Sequence, residues 1–123
     1  MPSKSKRILI VEDEKPMALA LELKLNREGF EALAVFNGEE AIDALKKEKF
    51  DLVLMDLVMP KMDGFQLLEE MQKLKISVPA VVLSNLSQAE DEKKAKQLGA
   101  KGFYIKSNTP ISEIVGHVRD LFK

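Results

Sequence analysis

The sequence has no cysteine, which excludes disulfide bonds and thiolate metal sites. It has a single histidine, His117, within the predicted last helix. Since no second histidine can join it, we expect His117 to be a surface or rim residue and not a metal ligand. Long hydrophobic runs are also missing, because the apolar run after the basic amino end stops at Val11, too early for a signal-peptide core or a membrane span. We therefore expect a cytoplasmic protein with no membrane partner.

A large excess of either charge is absent too. The formal net charge of -1 gives no bulk attraction to nucleic acid or to an anionic membrane, so we expect no direct nucleic-acid partner. Hydrophobic residues at 46% and charged residues at 32% are typical of a folded globular chain. The 123 residues contain no repeat, linker or second composition block, and we expect one domain over residues 1–123.

Apolar runs alternate with helix-like segments along the chain, and this alternation predicts a parallel β-sheet with helices on both faces. The predicted strands cover 7–11, 30–36, 52–55, 80–83 and 103–105. The first, third and fourth are almost wholly apolar and should be central, whereas the second should be an edge strand. Right-handed crossovers then favour a doubly wound α/β fold with five helices and strand order 2-1-3-4-5.

The predicted helices differ in how firmly their sequences anchor them. The fourth, at 88–98, has only three apolar anchors, two of them alanine, so it is a candidate for a movable element. The last helix is expected to begin near Pro110, with Asn108 or Thr109 as its N-cap.

Polar side chains follow the apolar runs at four predicted strand ends: Glu12 and Asp13, Asp56, Ser84, and Lys106. Because parallel strands share one carboxyl edge, where open α/β sheets bind ligands, we expect these side chains to converge. Three carboxylates brought together repel one another, and the usual relief is a hard cation with oxygen ligands, such as Mg²⁺. Asp56 is placed to act as a nucleophile toward a phosphoryl group, whose charge Ser84 and Lys106 could bond or neutralise.

Three segments of this sequence carry a family resemblance: Ile8-Leu-Ile-Val-Glu-Asp-Glu, Asp51-Leu-Val-Leu-Met-Asp-Leu-Val-Met-Pro-Lys-Met-Asp-Gly, and Gly99-Ala-Lys-Gly-Phe-Tyr-Ile-Lys. Together they resemble the receiver domain of two-component response regulators, and the resemblance covers essentially the full chain. It implies a flavodoxin-like fold. It also implies a phosphorylation-controlled signalling switch that has no separate substrate and catalyses only its own phosphorylation and dephosphorylation.

The resemblance assigns roles to the residues at the sheet edge. Asp56 would accept a phosphoryl group from a histidine kinase, a phosphotransfer protein or a small phosphodonor. Glu12, Asp13, Asp56 and the backbone carbonyl of Val58 would arrange Mg²⁺, directly or through water.

Further roles follow for the phosphoryl group and for the switch. Ser84 and Lys106 would contact the phosphoryl group, and Tyr104 corresponds to the family's switch aromatic, coupled to Ser84 on activation. The family usually reads out this change on the face formed by helix four, strand five and helix five. The expected partner is therefore a downstream protein in a two-component phosphorelay, or a second copy in a phosphorylation-dependent homodimer.

The sequence departs from the family's pattern at several positions. Ser84 stands where threonine is commoner, and Asn85 where a small alanine or glycine often lies next to the phosphate. Ser107 stands where the family usually has proline, often with a cis bond, and without proline we expect this peptide to be trans. Val58 and Leu86 are apolar at positions that tune phosphate lifetime in the family.

Three alternatives to this interpretation are open at the level of sequence. A pseudo-receiver would keep the fold and act by protein binding alone. A phosphatase with an aspartyl-phosphate intermediate would need another acid two residues after its nucleophile, where this chain has Val58. A flavodoxin-like electron carrier would need a hydroxyl- and glycine-rich loop after the first strand, where Glu12, Asp13 and Glu14 would instead repel the flavin phosphate.

Overall fold

A computed structural model describes residues 5–59, 61–85 and 89–122. Within these residues the chain forms a five-stranded parallel sheet in the order β2-β1-β3-β4-β5. The strands are β1 (Arg7–Val11), β2 (Glu31–Val35), β3 (Leu52–Met55), β4 (Ala80–Ser84) and β5 (Ala100–Ile105). The predicted fold class and strand order are confirmed. Leu86, which stands at a position that tunes phosphate lifetime in the family, lies outside the described residues.

Five helices cover the two faces of the sheet in the part of the chain that the structure describes. They are α1 (Lys15–Arg27), α2 (Gly38–Lys47), α3 (Gly64–Lys73), α4 (Ala89–Gln97) and α5 (Ile111–Leu121). Alternate residues of the central strands point to opposite faces. One set packs in a core under α2 and α3, which α4 joins through Ala95, and the other set packs under α1 and α5. Every residue of β3 and β4 is buried, as the apolar runs predict for central strands.

Strand β2 is an edge strand, as predicted, and side chains of α1 cap its outer side. The amide of Asn26 bonds both backbone groups of Ala32, accepting from its N–H at 2.9 Å and donating to its carbonyl at 3.4 Å. The Glu22 carboxylate accepts from the Ala34 N–H at 2.7 Å. These bonds satisfy backbone groups that an exposed edge would offer to another chain.

Helix α4 is held lightly, in agreement with its sequence. Ala95 is its one buried residue among those described. The ion pair between Lys96 and Glu92, 2.7 Å long, joins two exposed side chains and so adds little stability. Lys94 lies over the ring of Phe65 in α3, at 4.4 Å from the ring centroid.

The predicted start of the last helix is wrong in its cap. A short 3₁₀ turn, Lys106–Asn108, follows β5, and the Thr109 N–H is bonded to the Lys106 carbonyl. Pro110 is the N-cap residue instead, because its carbonyl accepts from the N–H groups of Glu113 and Ile114 in α5. It makes no side-chain cap bond. No helix among the described residues is long and apolar enough to cross a membrane.

Candidate functional site

The carboxyl ends of β1 and β3 lie side by side and bring the predicted acidic residues together. The Asp56 N–H donates to the carbonyl of Val11 at 3.0 Å, which aligns the two strand ends. As a result, carboxylate oxygens of Glu12, Asp13 and Asp56 all lie within 4.8 Å of one another. The convergence predicted from the strand ends is present for all three carboxylates.

Lys106 lies at the centre of this acidic group. Its Nζ is 2.5 Å from Glu12 Oε1, 2.8 Å from Asp56 Oδ2 and 3.0 Å from Glu14 Oε1. The side chains of Lys106, Glu12 and Asp56 are almost fully buried, at 5%, 3% and 7% exposure. These buried charges are screened much less than surface charges, so their interaction is strong. The one ammonium therefore offsets the repulsion among carboxylates that have little water around them.

Burial and pairing act on the two central charges in different ways. The pKa of Glu12 is raised, mainly because burial disfavours its charged form, and the nearby Asp56 charge raises it further. The hydrogen bonds that Glu12 accepts from Lys106 and from the Glu14 N–H lower the pKa but do not cancel this rise. For Lys106, burial lowers the pKa, but hydrogen bonds to Asp56, Glu12 and Glu14 outweigh it, so the net shift is upward. Lys106 is therefore a permanent cation at physiological pH.

The loop after β3 holds Asp56 from the other side. The Val58 N–H donates to Asp56 Oδ1 at 3.2 Å. Gly64, the first residue of α3, packs against this loop so closely that a Cβ atom there would lie 2.4 Å from the Asp56 carbonyl oxygen and 2.8 Å from Leu57 Cα. A capping box between Asp63 and Gln66 fixes the start of α3.

An open cleft of about 350 Å³ lies above these residues. Among the described residues, its lining includes Asp13, Glu14, Asp56, Val58, Asn85 and Lys106. Ser84 is fully buried at the end of β4 and, like the buried Glu12, is not part of this lining.

Tyr104, the predicted switch aromatic, also lies away from the cleft. Its ring stacks on the ring of His117 in α5, with centroids 4.3 Å apart and an angle of 13° between the planes. It packs against the core under α1 and α5. His117 is half-buried, in keeping with a rim position.

Two further contacts at the site were not predicted, besides the pairing of Lys106 with Glu12 and Asp56. Glu14 pairs with Lys106, and its position directly after the predicted acidic pair was the one sequence signal for it. Asn85 Oδ1 accepts from the Ser107 N–H at 3.1 Å, and the Lys106–Ser107 peptide is trans, as expected.

The donor set fits a hard divalent cation. Three carboxylates supply only oxygen ligands, and they converge beside an open cleft that leaves room for water or a phosphoryl oxygen. Mg²⁺ prefers one or two carboxylates together with waters and phosphate oxygens. Lys106 supplies a single positive charge for the whole group. A bound divalent cation would offset two of the negative charges that remain.

Comparisons with known proteins agree with this geometry. The sequence model of the response regulator receiver domain matches residues 8–119. The receiver domain of the Francisella response regulator 1452 superposes with a TM-score of 0.89 at 26% identity, covering 96% of this chain and 97% of that one. The receiver domain of a signal transduction histidine kinase from Syntrophus aciditrophicus is 32% identical, with a TM-score of 0.82 over 95% of this chain and 89% of that one. The chain belongs to the response regulator receiver domain family.

Curated relatives share this family and extend beyond it. The probable transcriptional regulator ycf27 of Porphyra purpurea is 32% identical over the whole of this chain and 50% of its own length. The alkaline phosphatase synthesis transcriptional regulatory protein PhoP of Bacillus subtilis is 30% identical over 86% of this chain and 44% of its own. The chain thus spans about half the length of the curated relatives it matches. By its family, it is a receiver domain of two-component signalling.

Proposed function

We propose that Asp56 accepts the phosphoryl group, and that Glu12, Asp13, Asp56 and the Val58 carbonyl hold Mg²⁺. The observation that carries this proposal is the environment of Asp56. Its carboxylate lines an open cleft and lies 2.8 Å from the buried Lys106 ammonium. One of its oxygens also lies within 4.8 Å of carboxylate oxygens of Glu12 and Asp13. A nucleophile in phosphoryl transfer needs positioning and nearby positive charge, and both are present here.

The transfer forms one bond and breaks one. An Asp56 carboxylate oxygen attacks the phosphorus of a phosphohistidine; the O–P bond forms as the P–N bond breaks, and the imidazole nitrogen leaves with its electron pair and takes up a proton. Mg²⁺, when bound, supplies charge neutralisation for the phosphoryl oxygens and the surrounding carboxylates. Lys106 stays protonated throughout and can turn from the carboxylates toward the new phosphoryl charge.

The response to phosphorylation starts at Ser84 and passes to Tyr104. A phosphoryl group on Asp56 offers acceptor oxygens that draw the Ser84 hydroxyl toward the cleft, and movement at the end of β4 gives the Tyr104 ring another position. The lightly anchored α4 and the neighbouring β5 and α5 are the surface that changes. The chain is a switch that catalyses only its own phosphorylation and turnover.

The proposal extends to the setting in which the domain acts. Residues 1–123 act as one domain in the cytoplasm, phosphorylated by a histidine kinase or a phosphotransfer protein. The output is a protein contact, either to a downstream target or between two copies, and this domain does not itself contact nucleic acid or a membrane.

Intact mass after incubation with acetyl phosphate tests the acceptor directly. We expect one phosphoryl adduct in the wild type with Mg²⁺, and none without Mg²⁺ or in Asp56→Asn. Asp51→Asn is the matched control, because the Asp51 carboxylate binds the Arg7 N–H at the opposite end of β3, and it should still form the adduct. An adduct in Asp56→Asn would contradict the assignment. Absence of both the adduct and beryllofluoride binding in the wild type would favour a pseudo-receiver.

A further inference from the structure

Asn85 links the end of β4 to the turn that follows β5. It directly follows β4, and its Oδ1 accepts from the N–H of Ser107, which lies in the 3₁₀ turn after β5. Lys106 opens that same turn, so the bond is made one residue away from the site ammonium. A proline at position 107 would have no N–H for this bond. The contact is therefore a particular property of this pair of residues.

The chemistry of the asparagine amide fixes what its other branch presents. A backbone N–H can donate only to the amide oxygen, so the second branch of Asn85 must be the NH₂ group, which is a donor. Asn85 lines the cleft together with Asp56 and Lys106. Among the lining side chains that the structure describes, three are carboxylates and one is apolar, which leaves Lys106 and Asn85 as the described side chains able to donate to an anion.

We infer that Asn85 is a positioning residue for the phosphoryl group. Its Oδ1 holds the turn that carries Lys106, and its Nδ2 group donates to a phosphoryl oxygen at Asp56. The inference rests on the proposed function for its second part only, since the loop contact exists without any ligand. It predicts that the two branches of one amide have separable effects.

Amide hydrogen exchange of Ser107 in the ligand-free protein tests the first part. Asn85→Ala removes the acceptor, and we expect the Ser107 N–H to exchange about tenfold faster. Asn85→Asp keeps an oxygen acceptor and should preserve the protection. Asn108→Ala is the matched control, since it removes an exposed amide from the same turn that does not line the cleft. Equal exchange of Ser107 in the wild type and Asn85→Ala would overturn this part.

Beryllofluoride, a phosphoryl mimic, tests the second part when titrated at saturating Mg²⁺ and followed by ¹⁹F NMR. We expect Asn85→Ala to bind about fivefold more weakly, in line with the loss of one hydrogen bond. Asn85→Asp should bind more weakly still, because it replaces a donor with a negative charge, and Asn108→Ala should match the wild type. Equal binding by Asn85→Ala would overturn the donor role, and tighter binding would overturn it and show in addition that Asn85 obstructs the cleft. Failure of the wild type to bind would instead contradict the proposed function, while the exchange result would stand.

Discussion

Gly64 offers the sharpest test of how the fold shapes the site. A Cβ atom at this position would lie 2.4 Å from the Asp56 carbonyl oxygen, 2.8 Å from Leu57 Cα and 2.9 Å from a Leu57 methyl carbon. Contacts below 3.0 Å are essentially never adopted by real Cβ atoms, and two of these atoms are backbone. In Gly64→Ala the start of α3 must therefore move away from the Asp56 loop.

The size of the required movement sets the expected loss in the free energy of unfolding. Restoring the shortest contact to 3.0 Å needs a displacement of at least about 0.6 Å, which threatens the bond from the Gly64 N–H to the Leu57 carbonyl, 2.9 Å long. Overpacking of this kind costs about 1–3 kcal/mol, and occasionally more, and contact with backbone favours the upper end of that range. We expect Gly64→Ala to lower the free energy of unfolding by about 2–3 kcal/mol.

Gly116→Ala provides a control for which the expected change in stability has the opposite sign. Gly116 lies within α5, and a Cβ atom there would meet nothing within 4 Å. Alanine is favoured over glycine in a helix interior by about 0.5–1 kcal/mol, so this variant should be more stable than the wild type.

Urea unfolding followed by circular dichroism measures both variants against the wild type without Mg²⁺. Gly64→Ala should also form the phosphoryl adduct more slowly, because its strain falls on the carbonyl of the acceptor residue itself. A Gly64→Ala protein within about 0.5 kcal/mol of the wild type, the spread of ordinary surface substitutions, would refute the reasoning about the close approach.

Three further predictions concern single side chains. Asp13→Asn removes one of three converging carboxylates, so it should stabilise the metal-free protein by up to about 1 kcal/mol. It should also abolish the rise in Tm on adding Mg²⁺, and an unchanged rise would show that Asp13 is not needed for Mg²⁺ binding. Asn37→Ala removes the N-cap that accepts from the Glu40 N–H at 2.9 Å, and urea unfolding should show a loss of about 1 kcal/mol, whereas no loss would contradict the capping role. Asn26→Ala opens the β2 edge, so hydrogen exchange of the Ala32 N–H should be faster, and unchanged exchange would mean that another group protects it.

Several features of the protein could be predicted from its sequence because they depend on local patterns of burial. The apolar runs at 52–55 and 80–83 predicted two central strands, and polar Glu31 with the small alanines of 30–36 predicted an edge. The handedness rule for crossovers, together with these central and edge positions, then favoured the strand order, and the order placed the ends of β1 and β3 side by side. The carboxylates of Glu12, Asp13 and Asp56 converge for that reason.

The tertiary structure decided how these groups are paired. That Lys106 binds three carboxylates at once, including Glu14, depends on distances between residues that lie far apart in the chain. The burial of Ser84 depends on the neighbours of the central strand β4, and the bond from Ser107 to Asn85 depends on how closely the residues after β4 and β5 approach each other. The pattern of apolar and polar residues is local in the sequence, so it predicts which elements form and which residues share a sheet edge. Side-chain partners across loops are set by packing to within an ångström, and only the folded chain fixes them.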